Sequence, residues 1–127
     1  MRYLLDTHVI LWALDDDKRL SETAVHILLD PVIEKYASIA SAWEVAIKAG
    51  KGTLRLKQGV SRFFKTIRQN KVELLPITEA QVKRLEILPF IHRDPFDRLL
   101  VAATQAEGMT LLTADENIHQ YDVSSVW

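Results

Sequence analysis

The sequence predicts an α/β fold: a three-layer α/β/α sandwich on a mainly parallel sheet of four to five strands. Short apolar runs alternate along the chain with helical periodicities, the pattern of a parallel sheet covered by helices. The first run, "RYLLD", is apolar without alternation between its ends, as a strand buried on both faces should be. No repeat, low-complexity tract or linker interrupts the 127 residues, so one domain spanning 1–127 is expected, large enough for a substantial core.

Taken in order, Arg2–Asp6 reads as the first strand and Thr7–Leu14 as the helix that follows at once. A second helix opens at Ser21 in "SETAVHILLD". "KYAS" (Lys35–Ser38) is a short second strand, and "SAWEVAIKAG" a helix closing near Gly50. "GTLRL" is an extended connection to the helix "SRFFKTIRQN". "VELLPI" (Val72–Ile77) forms the third strand, and "TEAQVKRLEIL" a helix with a Thr78/Gln81 capping box. Asp94 opens a helix that Gly108 stops, with Pro95 suited to its first position. "MTLLT" (Met109–Thr113) is the fourth strand, "ADENIHQY" a short helix, and "VSSVW" an edge strand.

Composition is that of an ordinary globular protein, 48% apolar and 26% charged. There is no cysteine, which excludes disulfides and thiolate metal sites and fits a reducing compartment. No apolar run approaches the roughly 18 residues of a membrane span. Asp6 and His8 break up the N-terminal stretch as a signal peptide, so a soluble, cytoplasmic protein is expected. The net charge of −1 favours no polyanionic partner. Its distribution says more: Val45–Val72 contains no acid but holds Lys48, Lys51, Arg55, Lys57, Arg62, Lys65, Arg68 and Lys71. Such a segment is either a solvated face or a footprint for phosphates.

In parallel α/β sheets ligands bind beyond the carboxyl ends of the strands. Asp6 ends strand one, Glu44 lies in the helix after strand two, and Asp115 follows strand four by two residues. Asp97 lies one turn into the helix leading to strand four. If strands one, two and four are neighbours, right-handed crossovers bring these four acids to one rim. Each also has a purely structural explanation. Asp6 and Asp94 can cap helices, Asp97 suits an acidic first turn, and Ser41/Glu44 and Thr113/Glu116 fit capping boxes. Those explanations, taken together, foresee no convergence. Glu22 and Glu79 serve as controls, since neither should join the cluster.

Four crowded anions repel, and burying them unpaired costs several kcal/mol or forces protonation. A hard divalent cation resolves this. Carboxylates with no cysteine and no histidine pair at helical spacing suit Mg²⁺ or Mn²⁺ over Zn²⁺. His8, His26, His92 and His119 are scattered and are expected to be structural or surface groups. Arg93 and Arg98 either pair with acids, the favoured expectation, or contact phosphate.

The segments "LLDTH", "SAWEVAIK", "HRDPFDRLLVAAT" and "LLTADENI" resemble, in order and spacing, the PIN-domain ribonucleases, particularly the VapC-type toxins, over essentially the whole chain. The resemblance implies a PIN-like sandwich that cleaves single-stranded or loop RNA by metal-dependent phosphodiester hydrolysis, leaving a 5′-phosphate. The family's acidic set, catalytic and metal-binding, falls on Asp6, Glu44, Asp97 and Asp115. Thr7 and Thr113 occupy the places of hydroxyls near the metal or its waters, and Asp94 that of the cap fixing the helix of Asp97. Homodimers and a VapB-type antitoxin, its tail in a groove near the active site, are also implied. Trp12, Trp43, Phe63 and Phe64 are candidates for such a groove, although core positions are the expectation for large apolar residues.

Two other functions stay open on the residues alone. A phosphatase with an aspartyl nucleophile after strand one would want a second Asp where His8 stands. A catalytically inactive protein-binding module would have no reason to keep the acids together.

Overall fold

The computed structural model describes residues 1–127. Its elements are β1 (Arg2–Leu5), α1 (Thr7–Leu14), α2 (Glu22–Leu29), β2 (Glu34–Ser38), α3 (Ile39–Gly50), α4 (Val60–Gln69), β3 (Val72–Leu75), α5 (Glu79–Glu86), α6 (Pro95–Glu107), β4 (Thr110–Leu112), α7 (Glu116–His119) and β5 (Ser125–Val126). The five strands form one sheet in the order β3-β2-β1-β4-β5, and every ladder is parallel.

Side chains that alternate across the sheet build two cores. Leu5 of β1 and Leu112 of β4 pack with residues of α1, α2, α3 and α4, among them Val9, Ile27, Val45 and Phe63. Their neighbours Leu4 and Leu111 point the other way, into a second core with Leu100 and Val101 of α6 and Ile118 of α7. Leu4 and Leu5 are at most 1% exposed, so truncating either to alanine would cost about 2–5 kcal/mol. This double burial explains why the strands read as continuous apolar runs. The α/β/α layering follows from it.

Local signals set the helix ends. Ser21 Oγ accepts from the Ala24 amide and Ser38 Oγ from the Ala40 amide. Gly108, left-handed at φ 64°, closes α6 where a side chain would be strained. Only half of the Thr78/Gln81 box forms. The Gln81 amide donates to Thr78 Oγ1, but the Gln81 side chain turns to Pro76 O and Glu107. The segment "GTLRL" is turn and irregular chain, with no strand.

The topology sets the position of the site. From β1 the chain moves outward to β2 and β3, then returns to place β4 on the opposite side of β1. The switch point therefore lies between β1 and β4, where their carboxyl ends leave a crevice. Asp6 follows β1 there, and Thr113 and Asp115 follow β4. No helix is long and apolar enough to cross a membrane.

Candidate functional site

Asp6 occupies the N-cap position of α1, but its carboxylate makes no capping hydrogen bond. It is 2% exposed. Its Oδ2 accepts a hydrogen bond from Thr113 Oγ1 at 2.7 Å, while Oδ1, also buried, has no partner. The same Thr113 oxygen accepts from the Asp115 amide at 3.1 Å, so one hydroxyl joins the ends of β1 and β4. Asp115 is the true N-cap of α7, its Oδ1 accepting from the Asn117 amide at 2.8 Å. The expected Thr113/Glu116 capping box is therefore not formed, because the helix starts two residues later than that box requires.

Glu44 enters from α3. That helix is capped by Ser38, not Ser41, so the Ser41/Glu44 capping box does not exist either. The longer helix carries Glu44 well into its interior, 2% exposed. Glu44 Oε2 accepts from Lys48 Nζ at 2.6 Å, one turn on, whereas Oε1 is buried without a partner. Thr7 Oγ1 donates to Ser41 Oγ at 2.7 Å. Its hydroxyl thus ties α1 to the helix of Glu44 and touches none of the acids.

Asp94 caps α6 as its position suggested: Oδ1 accepts from the Phe96 and Asp97 amides at 2.9 and 3.2 Å. Asp97, on the first turn, is 8% exposed. Burial first, then the charges of Asp6, Asp94, Asp115 and Glu44, push its carboxyl up to about 8. Asp6 is raised as well, mainly by burial, with Asp115 and Glu44 adding to it; the Thr113 hydrogen bond and His8 pull the other way. The four acids and the cap form one mutually repelling group. Glu22 and Glu79 are outside it, and Glu79 pairs on the surface with Lys83.

Four residues depart from expectation: His92, Arg93, Arg98 and Trp43, of which Arg93 is exposed and makes no ion pair. His92 belongs to the site: its Nε2 lies 3.4 Å from Asp97 Oδ2, and one ligand-type atom from each of His92, Asp97 and Asp115 falls within 4.8 Å of the others. Its only sequence signal is proximity, five positions before Asp97 in the same loop-to-helix segment. Arg98 pairs with no acid. It is buried, donates to the Leu88 and Pro89 carbonyls and to Tyr121, and lies over the Phe90 ring at 4.1 Å. Trp43 is not core but 58% exposed, set edge-on to Phe96 at 5.2 Å beside the acids. Phe63 alone among the four groove candidates is fully buried; Trp12 and Phe64 are partly so.

The residues present suit a divalent cation. Two buried carboxylate oxygens, Asp6 Oδ1 and Glu44 Oε1, have no hydrogen-bond partner. Buried acceptors of this kind are rare unless something else satisfies them. The carboxylates, with His92 as the one nitrogen grouped among them, make a mostly oxygen donor set that at this density of negative charge fits a hard ion.

A PIN-domain family model matches residues 3–124. The chain belongs to the PIN-domain family. Solved structures share the fold of this PIN domain. VapBC2 from Rickettsia felis, bound to a DNA fragment from their promoter, superposes at TM-score 0.75 with 15% identity, covering 99% of this chain and 98% of that one. VapBC-1 from nontypeable Haemophilus influenzae gives 0.71 at 18% identity, covering 99% and 97%. FitAcB from Neisseria gonorrhoeae gives 0.64 at 20% identity, covering 98% and 96%. Comparison of the sequence with curated proteins finds no match.

Proposed function

We propose that this PIN domain is a metal-dependent endoribonuclease and the toxin of a toxin–antitoxin pair. The observation that carries the reading is the pair of buried, partnerless oxygens on Asp6 and Glu44 within one group of like charges. Asp6, Glu44, Asp97 and Asp115 would hold Mg²⁺ or Mn²⁺, directly or through water. Such an ion polarises a phosphodiester and lowers the pKa of a bound water.

The protein's own groups supply the rest. Thr113 holds one oxygen of Asp6 and leaves the second without a protein partner. Asp94 aims the first turn of α6, and with it Asp97. Lys48 offsets the charge of Glu44. Lys51, Arg55, Lys57, Lys65, Arg68 and Lys71 are exposed and free of ion pairs, and would steer the RNA backbone toward the sheet edge.

VapBC complexes share the fold over nearly the whole chain, which supports a VapB-type antitoxin as partner. Trp43, exposed beside the acids, offers that partner an aromatic contact. A homodimer and a cytoplasmic location belong to the same proposal. The test is cleavage of a short single-stranded RNA by purified protein. Activity with Mn²⁺ or Mg²⁺ is expected, abolished by EDTA and by Asp6→Asn. Cleavage that survives both would contradict the reading.

A further inference from the structure

The grouping of His92 with Asp97 and Asp115 invites the view that the imidazole is a metal ligand. Counting hydrogen bonds around Tyr121 leads elsewhere. The Tyr121 hydroxyl is within bonding distance of three groups: Arg98 NH1 at 3.0 Å, the His92 backbone amide at 3.3 Å and His92 Nδ1 at 2.9 Å. The first two can only donate. Both donate to the phenol oxygen, which leaves its own O–H for the third contact, donated to Nδ1.

An imidazole that accepts at Nδ1 carries its proton on Nε2 when neutral. That nitrogen lies 3.4 Å from Asp97 Oδ2. Arg98 strengthens the arrangement. Its buried guanidinium has no carboxylate partner, only the Pro89 and Leu88 carbonyls, the Phe90 ring and Tyr121, so its charge polarises the phenol as a donor. Tyr121 is 4% exposed and Arg98 7%, which holds the chain of bonds in place.

We propose that Arg98, Tyr121 and His92 form a positioning relay that presents an N–H to Asp97 Oδ2, so that His92 orients this carboxylate and is not itself a metal ligand. Resting on the nuclease reading, the relay leaves Asp97 Oδ1 to face the cation. It holds α6, the loop before it and the chain after α7 in a single hydrogen-bonded unit. His92, Tyr121 and Arg98 touch neither substrate nor metal.

The test is the ¹⁵N spectrum of the histidine rings in the intact protein at about pH 9, where an ordinary imidazole is neutral and the Asp97 carboxyl is ionised. A pyrrole-type Nε2 and a pyridine-type Nδ1 are expected for His92, unchanged when MgCl₂ is added to saturation. Tyr121→Phe should give mixed tautomers at His92 and weaken Mg²⁺ binding by roughly tenfold, the scale of lost outer-shell support. A proton on Nδ1 in the wild type, or loss of the Nε2 proton on adding Mg²⁺, would overturn the relay. So would a folded Tyr121→Phe with wild-type ring shifts and affinity. Should that variant not fold, the wild-type spectra decide alone. Mg²⁺ binding is read separately by titration calorimetry: no saturable binding, with Nε2 protonated, would count against the nuclease reading while supporting the relay's hydrogen bonding.

Discussion

Thr113 holds one oxygen of Asp6 by a 2.7 Å hydrogen bond and leaves the other buried with no partner. Buried side-chain oxygens without a partner are few in this structure, and two of the three, on Asp6 and Glu44, belong to the acidic group. Half-satisfaction at the switch point of a parallel sheet is what a side chain poised for an external cation requires.

Asp97 gives the clearest pH signature. Its folded pKa of about 8 lies above the ordinary 3.8, so between those values the folded protein holds a proton that the unfolded chain has lost. Stability of the metal-free protein should therefore fall as pH rises from about 4 to 8. Asp97→Asn removes the share of this dependence that Asp97 carries, leaving that of Asp6. Its melting temperature should match the wild type near pH 4, exceed it increasingly toward pH 8, and be accompanied by loss of cleavage. A variant less stable than wild type by about 2 kcal/mol or more, with activity retained, would make Asp97 a structural residue.

Asp94→Ala separates capping from chemistry. Loss of two amide hydrogen bonds at the start of α6 should cost about 1 kcal/mol in denaturant unfolding. Cleavage should fall only in part, through misalignment of Asp97.

Lys48 compensates Glu44 through a 2.6 Å contact in which the acid is 2% exposed and the amine 41%. Lys48→Met should destabilise the metal-free protein by about 1–3 kcal/mol, the cost of a stranded buried acceptor. Saturating Mg²⁺ should shrink the difference, because the ion supplies the missing positive charge. Thermal melts with and without MgCl₂ check this.

The exposed cations of α4 and the connection before it should act as phosphate contacts. Replacing Lys65 and Arg68 by alanine should weaken RNA binding similarly across sequences. It should also lower the slope of log K against log salt by about 1.4, at roughly 0.7 per contact on a single strand. Filter binding at several salt concentrations measures it.

Much of this architecture was legible in the chain. Leu4–Leu5 and Leu111–Leu112 lie on strands with both faces covered, so the apolar runs revealed a parallel sheet, whereas the order of the strands, with β1 between β2 and β4, was a condition that only the structure supplies. The rim positions of Asp6, Glu44, Asp97 and Asp115 followed from where the strands end. What sequence could not supply was side-chain partnership. Arg98 beside Asp97 reads as half of an ion pair, yet on the helix its side chain leaves from a different face and finds carbonyls and a phenol instead. His92 reads as one of four unrelated histidines until Tyr121, 29 residues away, fixes its ring against Asp97. Trp43 reads as core by residue type, but an interior Glu44 at the next position turns it outward. Ser38 shifted the start of α3 because the serine that ends β2 caps the helix before Ser41 can.

The central claim, that these carboxylates serve RNA cleavage, is tested most directly by sequencing RNA 5′ ends after brief expression of the wild type and of Asp6→Asn. New 5′-phosphate ends at defined sites are expected with the wild type and not with the variant. Matching end profiles from two well-folded proteins would contradict it.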